Sequence, residues 1–436
     1  MVLTSSVRKQ KLTDLVNGKD SQGRQKLHYK GENQYFDIYR IDLDHLIYNQ
    51  HNGRLEAEML TWEQEHAVTQ GTYTDELHAL IDDFLWKSST HRNQQTLDDL
   101  KDKGQQRCGI VSRDGVIIDG NRRAMLLRRL ERDQKAKQYF DAIILPDDYD
   151  ENQLEIVRLE TQYQLGEDAK VEYGPLQKYL HARRLHIDLN IDEEEIDKLM
   201  GQPKGTTRKL LEIMDLMDDY LEHIGCPRLY TMLKDSDGTK EGMFVDLYGD
   251  LKRLQNGNAK VSWSFDPEIE PLQLKLLQFD YIRLGEFADA KKSYREISHQ
   301  SKGKNFFGHK DIWEAFRDSH EKKINPVTME MGSLEDYIAT NAGFTTKVDA
   351  ARARDNDWRE KVKGPMQGNF RISSKTLLYR VSEFGPRECL EDAMRALEKI
   401  DIDSPSLLAD PGNAALVMEI NRRTYEMKKK FDRTGQ

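Results

Sequence analysis

The chain lacks an apolar run long enough to cross a membrane, and it contains few cysteines. Its 436 residues include three of them, Cys108, Cys226 and Cys389, far apart and in no metal-ligand spacing. This pattern favours structural thiols in a reducing compartment over a disulfide framework or a zinc site. The N-terminal residues also lack the apolar core of a signal peptide. We therefore expect a cytoplasmic protein that has no membrane partner.

An excess of positive charge is missing as well. The 66 lysines and arginines are outnumbered by 76 aspartates and glutamates, which gives a formal net charge of −10. General coating of nucleic acid is therefore excluded, and any contact with DNA must come from local basic patches. The length predicts about two to four domains, each large enough to bury a core.

What the sequence does contain is a short apolar strand, Val116 to Ile118, that leads straight into an arginine-rich helix. The junction is formed by Asp119, Gly120, Asn121, Arg122 and Arg123. A glycine at such a turn lets the backbone approach a ligand, and a helix N-terminus favours an anion. Two guanidinium groups add forked donors. The pattern predicts a phosphate site, with an ordinary turn and a solvated arginine face as the alternative.

The residues before this junction predict a helix that ends at Gly104 and a strand that ends at Val111. The turn dipeptide at Asp114 and Gly115 then predicts a hairpin with the apolar strand that follows. The whole phrase resembles the second conserved motif of the ParB/sulfiredoxin superfamily, in which a helix, a strand and a glycine turn form a nucleotide pocket. Asn121 stands where that family has a glutamate.

Two further segments resemble the other motifs of this family, in the same order. Residues 41–54, which end in Asn52-Gly53-Arg54, are similar to the first motif, and residues 159–168 are similar to the third. The resemblance implies an α+β fold with a small mixed sheet, followed by mainly α-helical domains. The domains predicted are an N-terminal arm at 1–34, a ParB/sulfiredoxin-like domain at 35–170 with a helical insertion at about 55–93, a helix-turn-helix domain at 171–230 and an α-rich region at 231–436.

The resemblance also implies a nucleoside triphosphate, CTP or ATP, bound together with Mg²⁺. Arg54 would contact the phosphates or the base, and Glu160 would hold the metal and position the attacking water. Thr161 replaces the family asparagine, and its hydroxyl could join the metal shell. The other nucleotide ligands would be Asp119, Gly120, Asn121, Arg122 and Arg123. Nucleotide binding is thus the firmer expectation, and hydrolysis of CTP or ATP is left open.

Residues 191–211 predict two helices joined by a glycine turn, which is the layout of a helix-turn-helix. The segment is similar to the central domain of ParB-like proteins, which follows their nucleotide domain. We expect duplex DNA to contact the tip of the second helix through Lys204, Thr206, Thr207, Arg208 and Lys209. A hairpin that only packs is the alternative, because acidic residues surround the tip.

These observations predict a nucleotide-dependent DNA-binding protein that acts in partition, regulation, mobile elements or defence, and they leave a homodimer open. An ATP-dependent phosphotransferase or nuclease of the same fold, or a non-catalytic scaffold, are the alternatives. Sulfiredoxin chemistry is excluded, because Asn121 stands where those enzymes carry the cysteine nucleophile and an amide cannot replace a thiolate.

Overall fold

The structure is a computed structural model that describes residues 2–53, 55–65, 73–165, 175–235, 238–258, 261, 263–285, 294–299, 304–341, 343–381 and 385–434. It confirms the α+β class: a six-stranded mixed sheet lies in the N-terminal part, and helices make up most of the rest. Arg54 lies outside the described residues. Among those described, no helix combines the length and the apolar character needed to cross a bilayer.

The sheet has the strand order β1-β2-β6-β4-β5-β3. Its strands are β1 Ser21–Tyr29, β2 Glu32–Asp42, β3 Ile47–Tyr48, β4 Gly109–Val111, β5 Val116–Asp119 and β6 Tyr139–Ile144. The pairs β1-β2, β2-β6 and β4-β5 are antiparallel, whereas β4-β6 and β3-β5 are parallel. The hairpin predicted on the two sides of Gly115 is therefore confirmed. Gly115 itself has a φ of 83°, in the left-handed region that favours glycine.

Helices cover both faces of this sheet. They are α1 Ser5–Asn17, α2 Glu56–Glu65, α3 Asp75–Lys87, α4 Thr90–Lys103, α5 Asn121–Gln134 and α6 Gln153–Leu165. Ile117 lies in the core on one face, and Ile118 lies in the core on the other. A strand buried on both faces needs a continuous apolar run, which explains the sequence of β5.

The N-terminal arm predicted at residues 1–34 is corrected by the structure. Leu12 of α1 is fully buried in the core, and β1 pairs with β2 along its length. The physical reason lies in β1, where Leu27 and Tyr29 are buried and alternate with the exposed His28. This alternation is typical of a half-buried strand, and residues 5–42 belong to the sheet and its core.

The remaining described elements are helical except for one two-stranded hairpin. They are α7 Pro175–Arg183, a π-helical turn Arg184–Asp188, α8 Glu193–Leu199, α9 Thr206–His223, a short 3-10 helix Tyr230–Leu233, β7 Lys234–Asp235, β8 Gly238–Thr239, α10 Glu241–Gln255, α11 Ile269–Leu284, α12 Arg295–Ser298, α13 Lys310–Met331, α14 Leu334–Thr340, α15 Lys347–Val381, α16 Gly385–Leu397, α17 Pro405–Ala409 and α18 Pro411–Thr434. One core lies around Tyr220 and Phe244, and a second lies around Trp313 and Trp358. The α-rich C-terminal region is thus present.

Candidate functional site

The candidate phosphate turn lies where β5 meets α5. Gly120 is the N-cap of α5 and has a φ of 102°. A Cβ atom at this position would lie 2.7 Å from the Cζ atom of Phe140. The backbone conformation and the neighbouring ring therefore both require glycine. No acidic residue lies in the first turn of α5, so the positive end of its dipole is not neutralised within the helix.

Charged side chains flank this turn. Arg123 Nη1 donates to the carbonyl oxygen of Arg107 at 2.6 Å, and Arg123 Nη2 lies 3.8 Å from Oδ2 of Asp119. The two side chains are 22% and 30% exposed, and Arg122 beside them is half-buried. The guanidinium group of Arg123 is therefore held in place by the protein and still reaches solvent.

Asn49 links the three segments that resemble the family motifs. Its backbone N–H donates to Oδ1 of Asn121 at 3.0 Å, and its side-chain amide donates to Oε2 of Glu160 at 3.1 Å. The amide of Asn121 in turn donates to the carbonyl oxygen of Ile117 at 3.0 Å. All three polar side chains are buried. Segments that are distant in sequence thus meet at one buried polar centre.

Thr161 is buried between two helices. Its fully buried hydroxyl donates to the carbonyl oxygen of Val157 at 2.7 Å and lies 2.9 Å from Nε2 of His181 on α7. Burial, together with the positive charge of Arg184, lowers the pKa of His181 to about 3. The ring is therefore neutral at physiological pH. In this structure Thr161 links α6 to α7, and its hydroxyl is not presented to a metal ion.

Arg184 is a candidate residue that the sequence analysis did not identify. It opens the π-helical turn after α7, and its Nη1 donates to the carbonyl oxygen of His51 at 2.6 Å. Its Nη2 lies 3.4 Å from the hydroxyl of Tyr149, whose ring stacks with that of His51. Burial lowers the pKa of His51 to about 4, and Arg184 contributes to this shift. One buried guanidinium group therefore ties the helical region to the first motif.

Glu56, at the start of α2, is a second candidate that was missed. Its carboxyl group is buried, and its Oε2 atom has no hydrogen-bond partner among the described residues. Burial raises the pKa of Glu56 to about 7, although the charges of Arg184 and Arg183 act in the opposite direction. The side chain lines a cavity of about 370 Å³ between α2 and the helical region. Other residues that line this cavity are Arg183, Arg184, Asp188, Asp218 and Arg228.

The segment predicted to be a helix-turn-helix contains α8 and α9, and a buried aspartate holds the turn between these two helices. The carboxylate of Asp197 accepts hydrogen bonds from the backbone N–H of Gly205 at 2.6 Å and of Thr207 at 2.7 Å. It also accepts one from the hydroxyl of Thr207 at 2.7 Å. Thr207 is only 1% exposed. It was predicted to contact DNA, and in the structure it is an internal residue that fixes the angle between the two helices.

Other residues predicted to bind DNA do project from the tip. The side chains of Lys204 and Arg208 are 79% and 73% exposed, and Lys209 is exposed as well. Lys204 Nζ lies 2.7 Å from Oε1 of Glu194, and Arg208 Nε lies 3.7 Å from Oε1 of Glu212. The hydroxyl of Thr206 donates to the carbonyl oxygen of Pro203 and is thus part of the turn. Phosphates would compete with these two carboxylates for the basic side chains.

Within the described ranges, no group of three or more histidines, cysteines, aspartates or glutamates is arranged to hold a metal ion. Carboxylate oxygens that could still take part in Mg²⁺ binding are those of Glu160 and Asp119, since this ion is commonly held by one or two carboxylates together with substrate phosphates. No contact can be described for Arg54.

A comparison with protein-family models finds no match to this chain, and a comparison with curated proteins finds no significant similarity.

Proposed function

We propose that this protein binds a nucleoside triphosphate at the turn between β5 and α5, and that the bound nucleotide controls the binding of duplex DNA by α8 and α9. The observation that carries the proposal is the meeting of three motif-like segments at Asn49, which contacts Asn121 and Glu160 directly. A ParB-like nucleotide pocket would need these three segments to be neighbours. They are far apart in the sequence, so their contact is a property of the tertiary structure.

The geometry of the turn supports binding of the phosphates. The N-terminus of α5, where the helix dipole is positive, favours an anion, and the N-cap residue Gly120 adds no side chain there. Arg123 could exchange its 3.8 Å contact with Asp119 for a shorter, charge-assisted contact with a phosphate oxygen. CTP and ATP share this triphosphate chemistry, so the turn alone does not select the base.

The donor chemistry of the site is compatible with Mg²⁺, because Glu160 and Asp119 both offer carboxylate oxygens. When bound, the ion would neutralise charge on the phosphates. Asn49 orients the carboxylate of Glu160 through the 3.1 Å hydrogen bond from its side-chain amide. If hydrolysis occurs, Glu160 is the residue expected to position the water.

Coupling to the DNA-binding helices would run through α7. Arg184 holds the backbone of His51 in the first motif, and Thr161 contacts His181. Both contacts connect the candidate nucleotide site to the helix that precedes α8 and α9. A ligand that shifts the first or third motif would therefore act on the orientation of the helix-turn-helix.

Calorimetry with CTP, ATP, GTP and UTP, each with and without Mg²⁺, tests the proposal. We expect Arg123→Ala to weaken triphosphate binding by about 1.5–3 kcal/mol, the range for a hydrogen bond to a charged group. Arg132→Ala is the matched control, since it removes the same charge from the last turn of α5. Equal affinities for the parent and Arg123→Ala, or no binding of any triphosphate, would contradict the assignment. Transfer of phosphate from ATP to an acceptor, with no effect of DNA, would favour the phosphotransferase alternative.

A further inference from the structure

The last three helices have no core of their own. Among the described side chains of residues 386–434, no apolar one is buried. Thirteen large apolar side chains are exposed there: Leu390, Met394, Leu397, Ile400, Ile402, Leu408, Leu416, Val417, Met418, Ile420, Tyr425, Met427 and Phe431. Helices without a packed face have only marginal stability in water, and extended apolar exposure marks an interaction surface. This segment is therefore a candidate interaction surface.

The segment is attached to the rest of the protein through α16. Asp392 contacts Lys375 and Tyr379 of α15, which holds α16 against the end of that long helix. On its open side, α16 and the end of α18 form a groove of about 590 Å³. Leu390, Met394 and Phe431 line this groove. The attachment is thus polar, and the apolar side chains that line the groove are exposed.

One stripe of α18 has the spacing of a coiled-coil seam. Steps of three and four residues separate its members, which are Val417, Ile420, Thr424, Met427 and Phe431. All of these residues are exposed. A seam of this kind is completed by another helix. Because Arg423, Lys428 and Lys430 flank the seam, two α18 helices side by side would bring like charges together.

The charge of the segment indicates which partner fits. Residues 385–410 carry seven acidic and three basic side chains, a formal charge of −4, whereas residues 411–434 carry three acidic and six basic ones, a formal charge of +3. A second copy of the chain offers both halves at once. In a two-fold arrangement, the basic half of each copy can face the acidic half of the other, and the pairing then closes.

We propose that residues 385–434 form the interface of a homodimer, in which the basic α18 of each copy docks on the acidic α16–α17 segment of the other. Each seam is then covered by apolar residues of α16 and α17, and opposite charges meet at its edges. The proposal does not depend on a nucleotide or on DNA.

The test uses two charge-exchange variants of the full chain, whose masses are measured by light scattering over a broad range of concentrations. One is Lys428→Glu with Lys430→Glu, which makes the charge of residues 411–434 negative, and the other is Glu398→Lys with Asp401→Lys and Asp403→Lys, which makes the charge of residues 385–410 positive. We expect the parent to have twice the 50.8 kDa mass of one chain. We expect each variant alone to be monomeric, since both of its contacts then join like charges. An equimolar mixture should restore the dimer, because every contact again joins opposite charges.

The matched control is Lys322→Glu with Lys323→Glu on α13, where both lysines are exposed. This variant makes the same charge change outside the segment and should remain dimeric. A parent that is monomeric at every concentration overturns the proposal, and so does an assembly larger than a dimer. If Glu398→Lys with Asp401→Lys and Asp403→Lys stays dimeric alone, the acidic half is not in the interface and reciprocal docking is wrong.

Cross-linking provides an independent measurement. Cys389 of α16 is exposed, whereas Cys226 is buried. A short bismaleimide should join Cys389 of one copy to the new thiol of a Tyr425→Cys variant in another copy, and a mixture of two size-tagged chains identifies links between copies. Links found only within single chains would contradict the proposed docking.

Discussion

Replacing Glu56 by glutamine should stabilise the protein at alkaline pH and have little effect at acid pH. The ordinary pKa of this carboxyl group is 4.5, and burial in the folded state raises it to about 7. Between these values the folded state holds the extra proton, so the free energy of unfolding falls as the pH rises. The contribution of the protonated Glu56 to stability is fully present below pH 4.5, and it is lost as the pH rises through about 7.

The magnitude follows from the difference between the two pKa values. A shift of roughly 2.5 units, at about 1.4 kcal/mol each, corresponds to about 3 kcal/mol. Burial opposes the ionised form most strongly, Arg184 and Arg183 favour it, and Glu160 and Asp188 oppose it. Glutamine keeps the size of the protonated side chain but cannot ionise. Glu56→Gln should therefore be more stable than the parent at pH 8 by up to that amount.

Chemical denaturation of the parent and the variant at pH 5 and pH 8, followed by tryptophan fluorescence, measures this difference. Glu76→Gln on α3 is the control, because it makes the same substitution at an exposed side chain. If Glu56→Gln is less stable than the parent by the same amount at both pH values, Glu56 is ionised and paired in the folded state. The reasoning would then be refuted.

Three further predictions concern the turn of the helix-turn-helix, its exposed tip and the third motif. Thr207→Val should lower the free energy of unfolding by about 1–3 kcal/mol in thermal or chemical denaturation, because it leaves the buried carboxylate of Asp197 short of a donor. An unchanged stability would contradict the role given to this hydroxyl. Replacing Arg208 and Lys209 together by alanine should weaken DNA binding. The slope of the logarithm of the affinity against the logarithm of the salt concentration should fall in magnitude by about 2, since each phosphate contact contributes about 1. Gel shifts that give the same slope for parent and variant would show that the two side chains are not in the interface. Glu160→Gln should bind triphosphate in calorimetry as tightly as the parent does, and it should lower the rate of phosphate release by about 100-fold or more. A parent that releases no phosphate would instead be a sensor that responds to nucleotide occupancy.

Local signals in the sequence sufficed for the elements next to the turn. The Asp-Gly dipeptide at Gly115 and the apolar run before Asp119 predict the β4-β5 hairpin, because turn chemistry and a doubly buried strand depend on neighbouring residues. The glycine turn between α8 and α9 was predicted for the same reason. The alternation around Leu27 and Tyr29 is a weaker signal, because it spans one short strand. The prediction of an N-terminal arm at residues 1–34 does not take it into account.

The contacts that assemble the candidate site could not be predicted in this way. Asn49 contributes its backbone N–H as well as its side chain, and it reaches Glu160 across 111 positions of sequence. Arg184 binds a backbone carbonyl group, which leaves no signature in the residue type of its partner. The burial of Thr207 depends on Asp197, which lies on the preceding helix. Such contacts depend on the tertiary structure and not on local pattern.

If nucleotide occupancy controls DNA binding, the affinity for duplex DNA must depend on the nucleotide that is present. The dissociation constant for duplex DNA is determined by fluorescence anisotropy with and without each triphosphate and Mg²⁺, for the parent and for Arg123→Ala. We expect at least one triphosphate to change the affinity of the parent by about 5- to 150-fold, the usual range of coupling between two sites. Arg123→Ala should bind DNA as the nucleotide-free parent does and show no response. A parent that binds DNA with the same affinity in every condition would contradict the account.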